Sequence, residues 1–207
     1  MRVLFTVLFF LVASCRSVRA HGNGAMVDGS PPVVSGESNG VIRLQSAHQT
    51  AFIDLASKIA GCTGQMYDPT TGEKWDGGVS FAFLDVSRRK SLTYILLLAS
   101  AAPNCNVQGL CGASETPDRT LLWLCISVGR TLIKHQRVVV ESCSEARFPD
   151  IPEGDPQAWL PFTDGVLKIS CEQLDPAGEA EETIKGQVEY DRKHPEAGLK
   201  ITGRLGE

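Results

Sequence analysis

The chain from Val79 onward alternates between short apolar or β-branched runs and clusters of turn-forming residues. Seven of these runs have the length and composition of strands: residues 79–86, 92–99, 120–128, 132–142, 166–174, 184–190 and 199–205. The alternation of strands and helices that parallel α/β folds require is not seen. The pattern therefore predicts a mainly β domain, an antiparallel β-sandwich or barrel of about seven strands.

Two of these runs also predict where their strands lie. The run YILLLA (residues 94–99) is apolar at every position, so we expect a central strand that is buried on both faces. In IKGQVEYDR (residues 184–192), apolar or small residues alternate with polar ones. That period of two indicates a strand with one buried face and one solvent-facing face.

Residues 46–61 predict a possible N-terminal helix before the strands begin. Their apolar residues recur at helical spacing, with Ser46 as a candidate N-cap and Gly61 as a candidate C-terminal glycine. Two short strands are the alternative for the same stretch.

Residues 1–20 have the composition of an export signal. A basic start is followed by the apolar run 3–13, which is too short to span a bilayer as a mature helix. Two cleavage sites fit. The residues VAS before Cys15 resemble the lipobox of bacterial lipoproteins and predict lipidation at Cys15, whereas VRA ending at Ala20 suits an ordinary signal peptidase. We therefore expect a secreted, periplasmic or lipid-anchored protein at the cell envelope.

After the signal, residues 21–40 are rich in Gly, Ser and Pro and predict a flexible leader. Residues 41–207 are then expected to form a single β-rich domain, which suits their length.

The charge of the chain argues against two classes of partner. Removing the three arginines of residues 1–20 takes the net charge from −4 to −7. Such a chain has no electrostatic attraction to nucleic acid, and membrane contact is expected only through a lipid anchor.

Seven cysteines are present, and either cleavage removes Cys15 from the disulfide pool. An exported protein with six remaining cysteines predicts three disulfides, drawn from the following set: Cys62, Cys105, Cys111, Cys125, Cys143 and Cys171. Cys105 and Cys111 enclose a short loop and are the expected first pair.

Catalytic motifs are weak. Residues 36–40 read GESNG and match G-x-S-x-G, but that motif acts on a strand-to-helix turn and here lies in the expected leader. C-x-x-C pairs and calcium-loop spacing are absent from the sequence. The residues thus favour a function other than catalysis.

Cleavage after Ala20 would place His21 at the N-terminus, where its amine and imidazole can chelate one metal ion. The resulting His-Gly start, on a β-sandwich, resembles the N-terminal histidine of copper-dependent polysaccharide monooxygenases and periplasmic copper carriers. That resemblance implies copper as a cofactor and a second histidine ligand. His48 on the possible helix, His135 in a polar bend and His194 in a turn are the candidates.

Tryptophans offer a second ligand-binding hypothesis. Trp75 and Trp159 lie in polar loops and are candidates for stacking against sugar rings, whereas Trp123, in LLWLC, is expected in the core.

The sequence as a whole predicts an exported binding or interaction domain that contacts a protein or glycan at the cell envelope through loops at one end of the sandwich. A copper protein using His21 is the alternative.

Overall fold

A computed structural model of the chain describes residues 32–37, 39–46, 49–109, 111, 116–149, 162–174, 183–203 and 205. These residues contain thirteen strands: β1 (Val33–Gly36), β2 (Val41–Ser46), β3 (Gln49–Asp54), β4 (Gln65–Tyr67), β5 (Lys74–Asp76), β6 (Ser80–Arg89), β7 (Leu92–Ala101), β8 (Asp118–Ser127), β9 (Leu132–Glu141), β10 (Arg147–Pro149), β11 (Val166–Leu174), β12 (Thr183–Asp191) and β13 (Lys200–Gly203). Short 3-10 helices, Ala56–Lys58 and Pro195–Ala197, follow β3 and β12.

The strands form four antiparallel sheets. The central sheet has the order β6-β7-β8-β9, the front sheet β1-β2-β3 and the back sheet β10-β11-β12-β13, and β4 and β5 form a separate hairpin. The mainly β, antiparallel fold expected from the sequence is confirmed, and each of the seven predicted strands is present. Six further strands bring the described total to thirteen.

The alternation of β7 explains the layering. Every side chain from Tyr94 to Ala99 is buried. Successive side chains of a strand point to opposite faces, so β7 contributes to two cores. Ile95, Leu97 and Ala99 pack in the core beneath the front sheet, whereas Tyr94, Leu96 and Leu98 pack in the core beneath the back sheet. The sandwich therefore has three layers, with the predicted central strand in the middle one.

The back sheet is also joined to the central sheet by polar contacts. The Tyr190 hydroxyl on β12 donates to Asp85 Oδ2 on β6 at 2.7 Å, and Arg192 Nε lies 3.1 Å from Asp85 Oδ1. Asp85 follows a β-bulge in β6, and such bulges redirect side chains. Burial and the Asp85 carboxylate raise the pKa of Tyr190, so it remains a hydrogen-bond donor.

The predicted helix over residues 46–61 is wrong, and the two-strand alternative is closer to the structure. Val41–Ser46 and Gln49–Asp54 pair as the antiparallel strands β2 and β3, with Ile42 opposite Ile53. Ile42, Leu44 and Ile53 are buried in the core beneath the front sheet. Burying apolar residues at every second position is what a strand does well, and this outweighs the helical spacing.

Part of the expected leader is also ordered as a strand. Val33–Gly36 forms β1, which pairs with β2 from Val33 opposite Gln45 to Gly36 opposite Ile42. Regular structure therefore begins before Val41. The expected export signal and the remainder of the leader, residues 1–31, lie outside the described residues.

The disulfide pairing corrects the sequence prediction. Cys62 pairs with Cys105 and Cys111 pairs with Cys143, so the expected Cys105–Cys111 pair is wrong. Cys125 and Cys171 are free thiols in the core beneath the back sheet. Each occupies a core-facing position of its strand, where a thiol packs as a small apolar side chain. Burial raises the pKa of Cys171 to about 11, which favours the neutral thiol over the nucleophilic thiolate.

Candidate functional site: the stapled end of the sandwich

The connection between β7 and β8 is long, and both disulfides hold it in place. Within its described residues, 102–109, 111, 116 and 117, here called the stapled loop, Cys105 is bonded to Cys62 and Cys111 to Cys143. The first bond ties the loop to the segment before β4, and the second ties it to the segment after β9. Long connections held on a rigid framework commonly carry binding function.

The β4–β5 hairpin packs beside the stapled loop through backbone hydrogen bonds. The Tyr67 N–H donates to the Cys105 carbonyl at 2.8 Å, and the Val107 N–H donates to the Tyr67 carbonyl at 3.2 Å. Together with the Cys62–Cys105 bond, these contacts make the hairpin and the loop one structural unit. We call this unit the stapled end.

The turn of the hairpin is locked in the same way. The Asp68 carboxylate accepts a hydrogen bond from the Thr70 N–H at 2.8 Å, as in an Asx turn. From the stapled loop, Gln108 Nε2 donates to Asp68 Oδ1 at 2.9 Å and also to the Thr70 hydroxyl. The turn is therefore held by its own side chain and by the loop next to it.

The hairpin exposes both aromatic and polar side chains. Tyr67 pairs with Lys74 and Gln65 pairs with Asp76, and all four residues are exposed. Directly paired residues project from the same face. Trp75 pairs with Met66, so it projects from the opposite face of the hairpin. Tyr67 and Trp75 are 40% and 41% exposed, which leaves a large part of each ring available to a ligand.

Beneath the stapled end lies a group of buried polar residues. Five buried polar or charged residues are found in the described chain, and all lie at this end of the molecule: Asp118, Thr120, Glu141, Ser142 and Arg147. We call them the basal polar cluster. Their positions follow from the structure, because β8 begins, β9 ends and β10 begins at this end.

Most of the basal polar cluster is held by contacts within the described chain, although Arg147 Nε is buried without a hydrogen-bond partner. Asp118 Oδ1 accepts the Cys143 N–H at 3.1 Å, and Thr120 Oγ1 accepts the Ala60 N–H at 2.9 Å. Glu141 Oε2 lies 2.6 Å from Arg119 Nη1. These contacts fix the base of the stapled loop, since Cys143 carries one of its disulfides. The cluster thus supports the site and does not itself form a cleft.

The buried carboxyl groups of this cluster titrate abnormally. Burial raises the pKa of Asp118, against the lowering effect of its hydrogen bonds to Cys143 and Ser142. Burial likewise raises the pKa of Glu141, against the attraction of Arg119. Both shifts mean that the folded protein holds these protons more tightly than the unfolded chain does.

A pH-dependent stability follows from the Asp118 shift. An ordinary aspartate has a pKa of about 3.9, so the stability that Asp118 contributes is fully present below about pH 4 and is lost as the pH rises through its raised folded-state pKa. Asp118→Asn keeps an acceptor for Cys143 but cannot ionise. We expect the unfolding free energy of Asp118→Asn, relative to the wild type, to increase from pH 4 to pH 7 in urea denaturation.

Glu189 supplies the control for this prediction. Its pKa is lowered by the hydrogen bond from Lys168, so Glu189→Gln should lose stability relative to the wild type over the same pH range. If the unfolding free energies of the two variants, relative to the wild type, changed in the same direction with pH, the opposite pKa shifts assigned to Asp118 and Glu189 would be contradicted.

The structure describes only some of the sequence-predicted site residues. Trp75 lies on β5 at the stapled end, whereas Trp159, His21, His48 and Cys15 lie outside the described residues. Trp123 is buried in the core, as expected. His135 lies within strand β9 and not in a bend, because its neighbours complete the pairing with β8. His194 precedes the 3-10 helix Pro195–Ala197 and contacts Glu196.

The remaining motifs have structural explanations. Gly36 ends β1 and Gly40, with φ of 84°, lies in the turn that leads into β2, so the G-x-S-x-G match spans a hairpin connection and not a strand-to-helix turn. Among the residues that the structure describes, three or more metal-ligating side chains do not come together. The copper hypothesis rests on His21 and remains a prediction from the sequence.

Sequence reasoning missed the stapled loop and a second feature, a groove of about 430 Å³ on the outer face of the back sheet. Polar side chains line it, among them Ser170, Gln187 and the Glu172–Lys185 ion pair at 2.7 Å. The loop could have been recognised in the sequence, because two cysteines lie in a long connection that contains Asn and Gly. The groove could have been recognised from the polar residues at alternate positions of β11 and β12, which form the outer face of the back sheet.

Within the described part of the chain, helices of the length and apolarity needed to cross a membrane are not found. Comparison with known proteins finds no matching family model, no similar curated protein and no similar solved structure.

Proposed function

We propose that this chain is an exported binding domain whose partner, a protein or a glycan at the cell envelope, docks on the stapled end. One observation carries the proposal: a hairpin with exposed Tyr67 and Trp75 is bonded to a loop that two disulfides hold against a three-layer core. Rigid presentation of aromatic side chains favours binding, because little conformational entropy is lost on contact.

The disulfides are compatible with an extracytoplasmic location, where such bonds persist. The signal-like residues 1–20 support export, and the lipobox-like residues before Cys15 support display of the domain on a lipid anchor. If Cys15 is lipidated, the residues between the anchor and β1 would let the domain stand away from the envelope surface, whereas cleavage after Ala20 would release it.

The chemistry of the exposed hairpin suits either kind of partner. Tyrosine and tryptophan provide large apolar surfaces together with a hydroxyl or an N–H donor. Gln65, Lys74 and Asp76 surround Tyr67 on its face with amide, ammonium and carboxylate groups, which can bond the hydroxyls of a sugar or the backbone of a protein. The buried carboxyl groups nearby bond to residues of the chain itself, so the exposed side chains of the hairpin are the groups that this proposal assigns to the partner.

The proposal is tested by removing the two aromatic rings. The exported protein is screened on a glycan array and by crosslinking on intact host cells, and the ligand found is then titrated in solution. Because the two rings project from opposite faces of the hairpin, the variant that removes the ring on the binding face, Tyr67→Ala or Trp75→Ala, should weaken the affinity by about thirtyfold, since such rings contribute about 2 kcal/mol or more.

Phe52→Ala is the matched control, because Phe52 is 60% exposed on β3 of the front sheet, away from the stapled end. Its affinity should equal that of the wild type. A ligand that binds both hairpin variants as tightly as the wild type would place the binding surface elsewhere.

A further inference from the structure

Strand β5 is the outer edge of the hairpin at the stapled end. It pairs with β4 on one side, and β4 in turn contacts the stapled loop. Among the described residues, no strand lies against the other side of β5. Every residue from Thr71 to Asp76 is exposed, so both faces of β5 are accessible. An edge of this kind can pair with another strand.

The hydrogen bonds of the hairpin show which groups of β5 point away from β4. Two backbone N–H groups donate across the hairpin at the two ends of the β4–β5 pairing: Asp68 to the Glu73 carbonyl at 3.0 Å and Gly77 to the Gly64 carbonyl at 2.9 Å. Hydrogen-bonded pairs alternate along an antiparallel ladder, so Trp75, opposite Met66, directs its N–H and carbonyl toward β4. Lys74 and Asp76 therefore direct theirs outward.

The side chains of β5 are complementary to those of a second β5 strand. When two copies pair in antiparallel register about Trp75, Lys74 of each copy lies opposite Asp76 of the other, and the two Trp75 rings lie opposite each other. A register centred on Lys74 or on Asp76 would instead bring like charges together. In the described chain, neither Lys74 nor Asp76 forms an ion pair, so both charges are available to a partner.

We propose that the β5 edge binds a second copy of this chain, forming a two-fold symmetric dimer in which the β5 strands pair in antiparallel register. The outward N–H and carbonyl groups of Lys74 then bond to those of Asp76 in the other copy, and the reverse. The Trp75 rings meet at the non-hydrogen-bonded position, where cross-strand side chains approach most closely. Because both copies use the same strand, the contact is isologous and the assembly closes at two chains.

The surroundings of β5 leave room for this second strand. Gly72 precedes β5 and Gly78 follows it, and a Cβ added at either position would meet no atom within 4 Å. Tyr67 lies on β4, one strand further from the contact, and stays exposed. The dimer therefore covers Trp75 and presents two copies of the Tyr67 face side by side. The inference goes beyond the ligand proposed for the hairpin and does not rest on it.

Sedimentation equilibrium of the exported protein without ligand tests the dimer at concentrations up to about 1 mM, because a contact of one short strand belongs with the weak interfaces below about 1,200 Å². We expect a reversible equilibrium between monomer and dimer. Lys74→Glu and Asp76→Lys should each weaken the association by about tenfold, because both cross-strand charge pairs change from attraction to repulsion.

An equimolar mixture of the two variants is the sharper measurement. The β5 edge is acidic in Lys74→Glu and basic in Asp76→Lys, so a mixed dimer regains attraction at both pairs. The mixture should associate more tightly than either variant alone. Lys168→Glu is the matched control, because it reverses the charge of an exposed lysine on β11 and changes the net charge as Lys74→Glu does. It should associate as the wild type does.

Hydrogen exchange locates the contact. The amides of Lys74 and Asp76 should become more protected as the protein concentration rises, and the amide of Trp75, which already bonds to β4, should change less. Tyr67→Ala should associate as the wild type does even where it loses a ligand of the hairpin, which separates self-association from the proposed function.

Three results would overturn the inference. The first is a monomer at every concentration. The second is association that is unchanged in both charge variants, or a mixture that associates no more tightly than its components. The third is concentration-dependent protection along β9, the free edge of the central sheet, with none on β5, which would assign the self-association to a different edge.

Discussion

Trp123→Ala is expected to lower the free energy of unfolding by about 3–5 kcal/mol, the cost of removing a large aromatic ring from a packed core. Trp123 lies on β8 and is 2% exposed. Its ring stacks on Tyr94 with centroids 6.0 Å apart, and its Nε1 donates to the Pro195 carbonyl at 2.8 Å. The substitution therefore removes packing between two sheets and leaves the Pro195 carbonyl without this donor.

Urea denaturation followed by circular dichroism measures this effect. Trp123→Phe should lose less, because it keeps an aromatic ring and loses the hydrogen bond, whose net contribution is about 1 kcal/mol. Trp75→Ala, an exposed site, should change the stability by about 0.5 kcal/mol or less. Equal unfolding free energies for Trp123→Ala and Trp75→Ala would contradict the packing of the back sheet against Trp123 on β8.

Removal of either disulfide is the second large effect, and we expect it to reduce both stability and binding at the stapled end. The bonded cysteines are separated by 43 residues in Cys62–Cys105 and by 32 in Cys111–Cys143. In the chain-entropy model each bond then stabilises the fold by about 4 kcal/mol. The double substitutions Cys62→Ser with Cys105→Ser, and Cys111→Ser with Cys143→Ser, should each show a loss of that order in thermal or urea unfolding.

The two double variants should differ in what they release. Loss of Cys62–Cys105 frees the stapled loop beside the hairpin, so binding of a stapled-end ligand should weaken by more than the stability change explains. Hydrogen exchange of the Tyr67 and Val107 amides, which bond across this contact, should become faster. Unchanged exchange at both amides would show that the hairpin holds its position without the disulfide.

Thiol counting provides the control for these variants. Cys125 and Cys171 are buried and free, so they should react with an alkylating reagent in denaturant and resist it in the folded protein. Two reactive thiols, in addition to any contributed by Cys15, are expected from the wild type in denaturant without reductant. If Cys125 and Cys171 formed a third disulfide, neither of them would react.

Much of the framework was predictable because its signals are local. Period-two alternation and β-branched composition located the seven principal strands, and the uniformly apolar run 94–99 indicated a strand with two buried faces. The same criteria failed at residues 46–61, where apolar residues fit a helical spacing and a strand spacing equally well. Pairing between β2 and β3 decided that case, and pairing is a non-local interaction.

The site was less accessible to sequence reasoning. Exposure of Trp75 could be anticipated from its polar neighbours, but its position next to the stapled loop could not, because residues 67 and 105 meet through backbone hydrogen bonds that leave no pattern in the side chains.

The sequence by itself thus determined the antiparallel β class, the central position of β7 and the burial of Trp123, since each depends on the order of apolar and polar residues along one strand. The tertiary structure alone decided the disulfide partners, the three-layer arrangement and the residues gathered at the stapled end. The physical reason is that a disulfide or a charge cluster depends on distances between residues far apart in the chain, and those distances are set when sheets pack together.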